Sequence, residues 1–243
     1  RRPWLANHLE HDGYSVLGVQ CDKKNWFRMT PAPELLDGLS NTGFFDFFER
    51  IVFIGSSMGG FAALSFAPLV PKADVIVWSP QTSLSKQICP FEDRYPYGFR
   101  ISDWTTKPYL DAVASVPFSG KIFVLYDPFV LEDKLHADRI QGENVTHIRL
   151  PHFAHQSIRM VMKTGALSAL IRSVVTTRSV GPEVFSQLRN RRQQRKWLRQ
   201  MIADLEARDR SFLTLIASRK IGQMGSYAFA KRAMLKAQKR LKL

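Results

Sequence analysis

The stretch IVFIGSSMGGFAALSF, residues 51–66, decides the fold prediction. β-Branched and aromatic residues run up to Gly55, two serines and a methionine follow, and an alanine-containing apolar segment begins after Gly60. The first part is typical of a buried strand and the last part of a helix. Small residues at Gly55 and Gly59 would let the strand and the helix pack closely. This pattern predicts a sharp turn that lifts the Ser57 hydroxyl above the sheet edge, at the N-terminus of the helix.

Short apolar runs rich in Val and Ile recur along the first two thirds of the chain and predict strands buried on both faces, at residues 15–20, 50–55, 73–80, 121–127 and 145–151. Helix-like segments alternate with them, at residues 3–11, 58–69, 107–116, 131–140 and 155–175. This alternation predicts an α/β fold with a doubly wound, mostly parallel sheet. Residues 79–108 interrupt the alternation with four prolines and many aromatics, which predicts either a lid over a pocket or a long surface connection.

Charge divides the chain into two segments. Residues 183–243 hold 16 Lys or Arg against 4 Asp or Glu, whereas the rest holds 19 against 17, out of a total net charge of +14. We therefore predict a nearly neutral α/β domain over residues 1–178, the body, and a basic helical extension over residues 179–243, the tail. Three interpretations of the tail stay open: a docked helical appendage, a segment that binds an anionic membrane surface, and a short helical module that contacts a protein partner. Nucleic acid is not an expected partner, because the tail has no known reader motif.

Composition bears on the class of protein. Apolar residues make up 45% of the chain, which is ordinary for a globular protein. Two cysteines cannot form a disulfide framework, and we interpret them as reduced thiols in a cytoplasmic protein. Any contact of this protein with a membrane is expected to be peripheral. No apolar run approaches the roughly 20 residues of a membrane helix, and no signal peptide is visible. We expect no cofactor and no metal site, since neither carboxylate nor cysteine accompanies His152 and His155 in their loop.

The sequence Gly55-Ser56-Ser57-Met58-Gly59 fits G-x-S-x-G and has a predicted strand before it and a predicted helix after it. In this setting the motif resembles the nucleophile elbow of the α/β-hydrolase superfamily. Residues 56–84 also resemble a bacterial branch of that superfamily whose substrate is not settled. The resemblance covers about residues 1–175 and implies Ser57 as the nucleophile, followed along the chain by an acid and then a histidine.

The histidine that the resemblance implies lies in the loop after the last predicted strand. The sequence RLPHFAHQS offers His155 and, as the reserve base, His152. His155 fits better, because Gln156 begins a predicted helix.

The implied acid follows the fourth predicted strand. Asp127, in DPFV, looks like the Asp-Pro-x-Val sequence of the family and is preferred. Asp133 is the reserve acid, although it is also placed to cap a helix.

Stabilising a tetrahedral oxyanion requires two hydrogen-bond donors. The resemblance implies the backbone N–H of Met58 as one, and a glycine-bearing loop ahead of the first helix as the other. That loop and its strand would come before Arg1, so a fragment of a longer chain and a member that lacks the loop remain alternatives. Trp26 and Arg28, in residues 22–28, are the candidate substrate contacts, although a surface turn is the preferred interpretation of this stretch.

These observations predict a serine-dependent hydrolase or acyltransferase that acts on an ester or thioester. The alternative is a non-catalytic scaffold that keeps this fold and acts through its basic tail.

Overall fold

A computed structural model describes residues 2–29, 31–70 and 72–242. Its four strands are β1 (Val52–Ser56), β2 (Asp74–Trp78), β3 (Ile122–Tyr126) and β4 (Val145–Arg149). The helices of the body are α1 (Ala6–His11), α2 (Ala32–Asn41), α3 (Met58–Phe66), α4 (Pro96–Arg100), α5 (Leu131–Arg139), α6 (Ser157–Thr164) and α7 (Ala166–Thr177). Those of the tail are α8 (Pro182–Leu188), α9 (Arg195–Ala207), α10 (Ser211–Met224) and α11 (Ala228–Leu241).

All four strands are parallel and lie in the order β1-β2-β3-β4. The α/β class and the parallel sheet are thus confirmed, and four of the five predicted strands form. The exception is the run at residues 15–20, which has no regular secondary structure. The doubly wound sheet predicted from the sequence requires a point at which the strand order reverses. Over the described residues the order does not reverse, and β1 is an edge strand there.

Helices cover both faces of the sheet. On one face Val75, Val77 and Val124 pack in a cluster with residues of α3 and α5. On the other face Ile76 and Phe123 pack in a cluster with residues of α6 and α7. Side chains alternate between the two faces, and every residue of β2 and β3 is buried. This three-layer arrangement explains why the strands have continuous rather than alternating apolar sequences.

Some helices differ from their predicted bounds for local reasons. The long helix predicted at residues 155–175 is two helices, since Gly165 has a φ of 82° and ends α6 in the left-handed conformation. The segment predicted at residues 107–116 forms instead a 3-10 helix, Ala112–Phe118, whose first turn is capped by the Asp111 carboxylate. Helix α2 was not predicted from the sequence.

The tail packs against the body. Val184, Trp197, Leu198 and Ile202 are buried in the same apolar cluster as Ile76 of the sheet. The Trp197 indole also donates a hydrogen bond to the Pro151 carbonyl oxygen at 2.9 Å. The docked appendage is therefore the interpretation of the tail that these contacts favour. None of the helices in the described part of the chain is both long and apolar enough to cross a membrane.

Packing of the tail predicts unequal effects of two leucine truncations. Leu198→Ala in α9 removes a side chain that is 3% exposed and should lower the free energy of unfolding by about 2–5 kcal/mol. Leu213→Ala in α10 is the matched control, because Leu213 is 50% exposed and should cost little. Urea unfolding of both variants measures the difference. Equal unfolding midpoints for the two variants would show that the buried face of the tail adds nothing to the stability of the core.

Candidate active site

Ser57 lies in the turn between β1 and α3 with a φ of 55° and a ψ of −119°. A residue with a side chain pays roughly 1–3 kcal/mol for such a conformation, so surrounding contacts must hold it. The Ser57 N–H donates to the Trp78 carbonyl oxygen at the end of β2, at 2.9 Å. The Ser57 carbonyl oxygen accepts from the Phe61 N–H of α3, at 3.0 Å. The turn is therefore fixed to the sheet on one side and to the helix on the other.

The small residues of the turn have different roles from those expected. A Cβ added to Gly55 would lie 2.0 Å from the Gly59 carbonyl oxygen, and one added to Gly60 would lie 2.9 Å from the Pro80 side chain. A Cβ added to Gly59 would meet no atom within 4 Å. Close packing of β1 against α3 therefore requires Gly55, close approach of α3 to Pro80 after β2 requires Gly60, and the expectation that the packing requires Gly59 was wrong.

His155 lies in the loop between β4 and α6 and faces Ser57. Its Nε2 is 3.0 Å from the Ser57 Oγ. Its Nδ1 is 2.8 and 2.9 Å from the two carboxylate oxygens of Asp133. Since a carboxylate only accepts, the proton of the neutral imidazole is on Nδ1, and Nε2 is free to accept the hydroxyl proton of Ser57. The structure thus brings together Ser57, His155 and the reserve acid Asp133.

Asp133 is in the first turn of α5 and its side chain is fully buried. Arg94 donates to its Oδ1 from Nη1 at 2.7 Å. Burial alone would raise the pKa of the Asp133 carboxyl, but the hydrogen bond from His155 and the interactions with His155 and Arg94 outweigh it and lower the pKa. Asp133 therefore stays ionised beside the imidazole.

Asp127, the preferred acid, does not contact His155, which corrects the sequence prediction. One of its carboxylate oxygens accepts from the Phe129 N–H at 3.0 Å, and the other from the Ala154 N–H at 2.7 Å. The aspartate folds back on its own turn, as Asp residues in turns commonly do, and this directs the carboxylate away from the imidazole. Asp127 instead holds the backbone of the loop one residue before His155.

His152, the reserve base, is also turned away from Ser57. Its Nδ1 is 2.6 Å from a carboxylate oxygen of Asp204 in α9. Its ring stacks on Phe129 with centroids 4.6 Å apart, and meets Trp197 edge to face at 5.8 Å. His152 therefore joins the histidine loop to the tail.

The two expected substrate contacts have other partners. Trp26 is 2% exposed, and its indole N–H donates to the Gln81 Oε1 at 3.2 Å. The Arg28 guanidinium donates to the carbonyl oxygens of Asp103, Thr106 and Pro108, at 2.5–2.6 Å. Arg28 thus holds the surface segment at residues 103–108 through hydrogen bonds. Of the two residues, only Trp26 is connected to Ser57, through Gln81.

Sequence reasoning missed two polar residues that the structure places at the Ser57–His155 pair. The Ser57 Oγ is 3.1 Å from the Gln81 Oε1, and the Tyr95 hydroxyl is 3.0 Å from the His155 Nε2. Both belong to residues 79–108, the irregular segment for which the sequence left a lid and a surface connection open. Its aromatic and polar content was the available signal, but nothing in the sequence shows which of its side chains point inwards.

Behind Asp133 lies a buried ionic cluster. Arg94 also donates to Glu92, whose side chain is fully buried. The Thr82 N–H donates to the His136 Nδ1 at 3.1 Å, so the imidazole proton is on Nε2 and is donated to Glu92 at 3.0 Å. Burial would raise the pKa of Glu92, but the bonds from His136 and Arg94 outweigh it and lower the pKa to about 2.

The N–H of Met58 belongs to the first turn of α3, where backbone N–H groups have no partner within the helix. The positive end of the α3 dipole therefore lies next to Ser57 and favours negative charge there. Among the described residues no group of three or more His, Cys, Asp or Glu side chains is arranged to hold a metal ion.

An apolar cavity of about 460 Å³ lies along the open edge of β1 and reaches Gly59. Phenylalanines such as Phe45 and Phe53 form part of its wall, but Ser57 and His155 do not. Residues of the unformed strand at 15–20 line this cavity instead of pairing with β1.

Comparison with known proteins adds no relative. No family model matches the chain, no curated protein matches it, and no solved structure matches it. The geometry described above therefore carries the functional argument by itself.

The glycine contacts predict opposite outcomes for two substitutions. Gly55→Ala should lower the free energy of unfolding by about 1–3 kcal/mol or more, since its methyl group collides with the backbone of α3. Gly59→Ala is the matched control in open space within a helix, where alanine is favoured over glycine, and should be neutral or slightly stabilising. Urea unfolding measures both, and loss of stability in Gly59→Ala alone would contradict this account of the turn.

The low pKa of Glu92 predicts how stability depends on pH. A carboxyl whose pKa falls from 4.5 to about 2 on folding stabilises the folded state fully above pH 4.5, and loses this contribution as the pH falls towards 2. Glu92→Gln should therefore cost on the order of 3 kcal/mol at pH 7, and the difference from the unaltered protein should narrow at pH 3.

Urea unfolding at the two pH values tests this expectation. Glu143→Gln, at an exposed position, is the control and should change stability at neither pH. A penalty for Glu92→Gln that is the same at pH 7 and pH 3 would contradict the buried ionic cluster.

Proposed function

We propose that this protein is a serine-dependent hydrolase or acyltransferase that acts on an ester or thioester. The observation that carries the proposal is the line of contacts from the Ser57 Oγ to the His155 Nε2, at 3.0 Å, and from the His155 Nδ1 to Asp133, at 2.8 Å. A hydroxyl within reach of a base that is oriented by a buried carboxylate is the arrangement that activates serine as a nucleophile.

The same proposal places the chain in the α/β-hydrolase superfamily. Its support is a parallel sheet, a strained serine between strand and helix, and the chain order serine, acid, histidine at Ser57, Asp133 and His155. That order and that strand–turn–helix context are typical of the superfamily.

The proposed reaction follows from the positions of these atoms. As the Ser57 oxygen attacks the acyl carbon, the His155 Nε2 takes its proton, and Asp133 stabilises the resulting imidazolium through Nδ1. The negative charge that forms on the carbonyl oxygen is met by the Met58 N–H. His155 then returns the proton to the departing alcohol or thiol. In the second half of the reaction, water or a second alcohol, amine or thiol attacks the acyl carbon, and the His155 Nε2 takes the proton of this nucleophile. His155 then returns a proton to the Ser57 oxygen as the bond between that oxygen and the acyl carbon breaks.

A fluorophosphonate probe tests the nucleophile. The probe should form a phosphorus–oxygen bond with the Ser57 hydroxyl and release fluoride, so that Ser57→Ala abolishes labelling. Ser56→Ala, which removes the adjacent hydroxyl at the end of β1, is the matched control and should be labelled like the unaltered protein. An unlabelled folded protein would instead favour the scaffold alternative.

The same assay separates the two aspartates. Asp133→Asn should slow labelling by about 10³–10⁴-fold, since an amide does not hold His155 in the tautomer with its proton on Nδ1 and does not stabilise the imidazolium. Asp127→Asn keeps an oxygen for one of its backbone donors and should have a much smaller effect. A greater loss in Asp127→Asn would reverse this assignment of the acid.

The partner expected for the tail is kept as a separate proposal, namely an anionic membrane surface or a protein. It is supported by Phe212, Leu213 and Ile216, which α10 exposes to solvent, and by the exposed basic residues Arg219 and Lys220 of the same helix. These residues face away from the contacts that dock the tail, so docking and surface binding are compatible.

A further inference from the structure

A directed chain of hydrogen bonds begins at Trp26 and ends at His155. The indole N–H of Trp26 can only donate, so the atom of Gln81 that it meets, at 3.2 Å, must be the amide oxygen. This contact fixes the orientation of the Gln81 side chain, which is fully buried. The amide nitrogen of Gln81 then lies 3.4 Å from the Tyr95 hydroxyl oxygen and 3.5 Å from the Ser79 carbonyl oxygen.

The amide orientation determines where the proton of Tyr95 points. Because Gln81 donates to the Tyr95 oxygen, the hydroxyl proton is free to point elsewhere, and the His155 Nε2 lies 3.0 Å away. The ring of Tyr95 is held between Trp26, with centroids 5.0 Å apart, and the Arg94 guanidinium, 5.3 Å from its centroid. The phenol is therefore a pre-oriented donor at the reacting atoms.

Two hydroxyls compete for one acceptor in the resting site. The Nε2 of neutral His155 has one lone pair, and both Ser57 and Tyr95 lie 3.0 Å from it. The Ser57 hydroxyl can donate instead to the Gln81 Oε1, 3.1 Å away, which leaves the Nε2 to Tyr95. Once His155 has taken the serine proton, Nε2 becomes a donor and can no longer accept from Tyr95. The phenolic O–H is released at the moment when negative charge forms on the substrate oxygen.

We infer that the Tyr95 hydroxyl donates a hydrogen bond to the developing oxyanion and is the second donor beside the Met58 N–H. This inference rests on the proposed function. A donor that becomes available only as the transition state forms stabilises that state more than the bound substrate, and so accelerates the chemical step. Trp26 is a positioning residue that acts through Gln81, and Gln81 positions Tyr95 while also contacting the Ser57 hydroxyl directly.

The environment of Tyr95 keeps it a donor. Burial raises the pKa of its hydroxyl above the ordinary value, although interactions with Ser57 and Arg94 oppose this effect. The phenol therefore remains protonated at neutral pH.

The test compares Tyr95→Phe with Tyr97→Phe, which removes a hydroxyl from an exposed tyrosine two residues away. In the full chain, the second-order rate of fluorophosphonate labelling should fall about 10²–10³-fold in Tyr95→Phe, the usual loss when one oxyanion donor is removed. Tyr97→Phe should react at the rate of the unaltered protein, and equal rates for the two variants would overturn the inference.

A second reaction distinguishes stabilisation of the oxyanion from positioning of His155. In a Ser57→Cys background, alkylation by iodoacetamide depends on the thiol and on His155 but passes through no oxyanion. Adding Tyr95→Phe should leave this alkylation rate unchanged within about twofold. A large fall in alkylation would mean that Tyr95 only positions His155, which overturns its assignment as an oxyanion donor.

Failure of this inference differs from failure of the proposed function. If the unaltered protein is not labelled at Ser57, the proposed function fails and the inference fails with it. If it is labelled and Tyr95→Phe is labelled equally fast, only the role of Tyr95 is lost. Trp26→Phe, which removes the indole N–H and keeps an aromatic ring, should lower fluorophosphonate labelling less than Tyr95→Phe and should also leave alkylation unchanged.

Discussion

The backbone of Ser57 is held in a conformation that a residue with a side chain adopts only under constraint. The bond from its N–H to Trp78 and the close approach of α3 to Gly55 supply that constraint. Both depend on a sheet whose central strands are buried on both faces, since only a rigid sheet can resist relaxation of the turn. The position of the hydroxyl is therefore a consequence of the core.

Three separate parts of the molecule hold His155. Asp133 contacts its ring and is itself held by Arg94. Asp127 holds the loop through the Ala154 N–H. The tail holds the same loop through the bond from Trp197 to Pro151. The tail therefore also stabilises the geometry of the site. Its basic composition, which differs so much from that of the body, does not by itself suggest this role.

The irregular segment between β2 and β3 links the ionic cluster with the hydroxyl network. Glu92 and Arg94 support Asp133 from behind, whereas Gln81 and Tyr95 approach Ser57 and His155 directly. Arg28 fastens the outer part of this segment through three carbonyl oxygens. A long connection without regular structure can place polar groups accurately when buried charges and hydrogen bonds fix it at several points.

The sequence by itself determined the α/β class, four of the strands, the position of the turn at Ser57 and the prediction that His155 rather than His152 faces Ser57. These features depend on short-range patterns, namely apolar periodicity, small residues beside a turn, and a loop before a helix. The run at residues 15–20 has the composition of a strand but forms none, although the edge of β1 beside it is open, so apolar composition by itself does not ensure strand pairing.

Only the tertiary structure decided that Asp133 rather than Asp127 meets His155, that Trp26 is buried behind Gln81, and that Tyr95 enters the site. Each of these outcomes depends on where a side chain points after the chain has folded, between residues separated by 22 positions for His155 and Asp133 and by 55 for Trp26 and Gln81. The turn after β3 directs the Asp127 carboxylate onto its own backbone, so Asp133 contacts His155 although the sequence motif lies at Asp127. Patterns along a sequence specify where elements begin and end, whereas packing between distant elements specifies which of their polar groups meet.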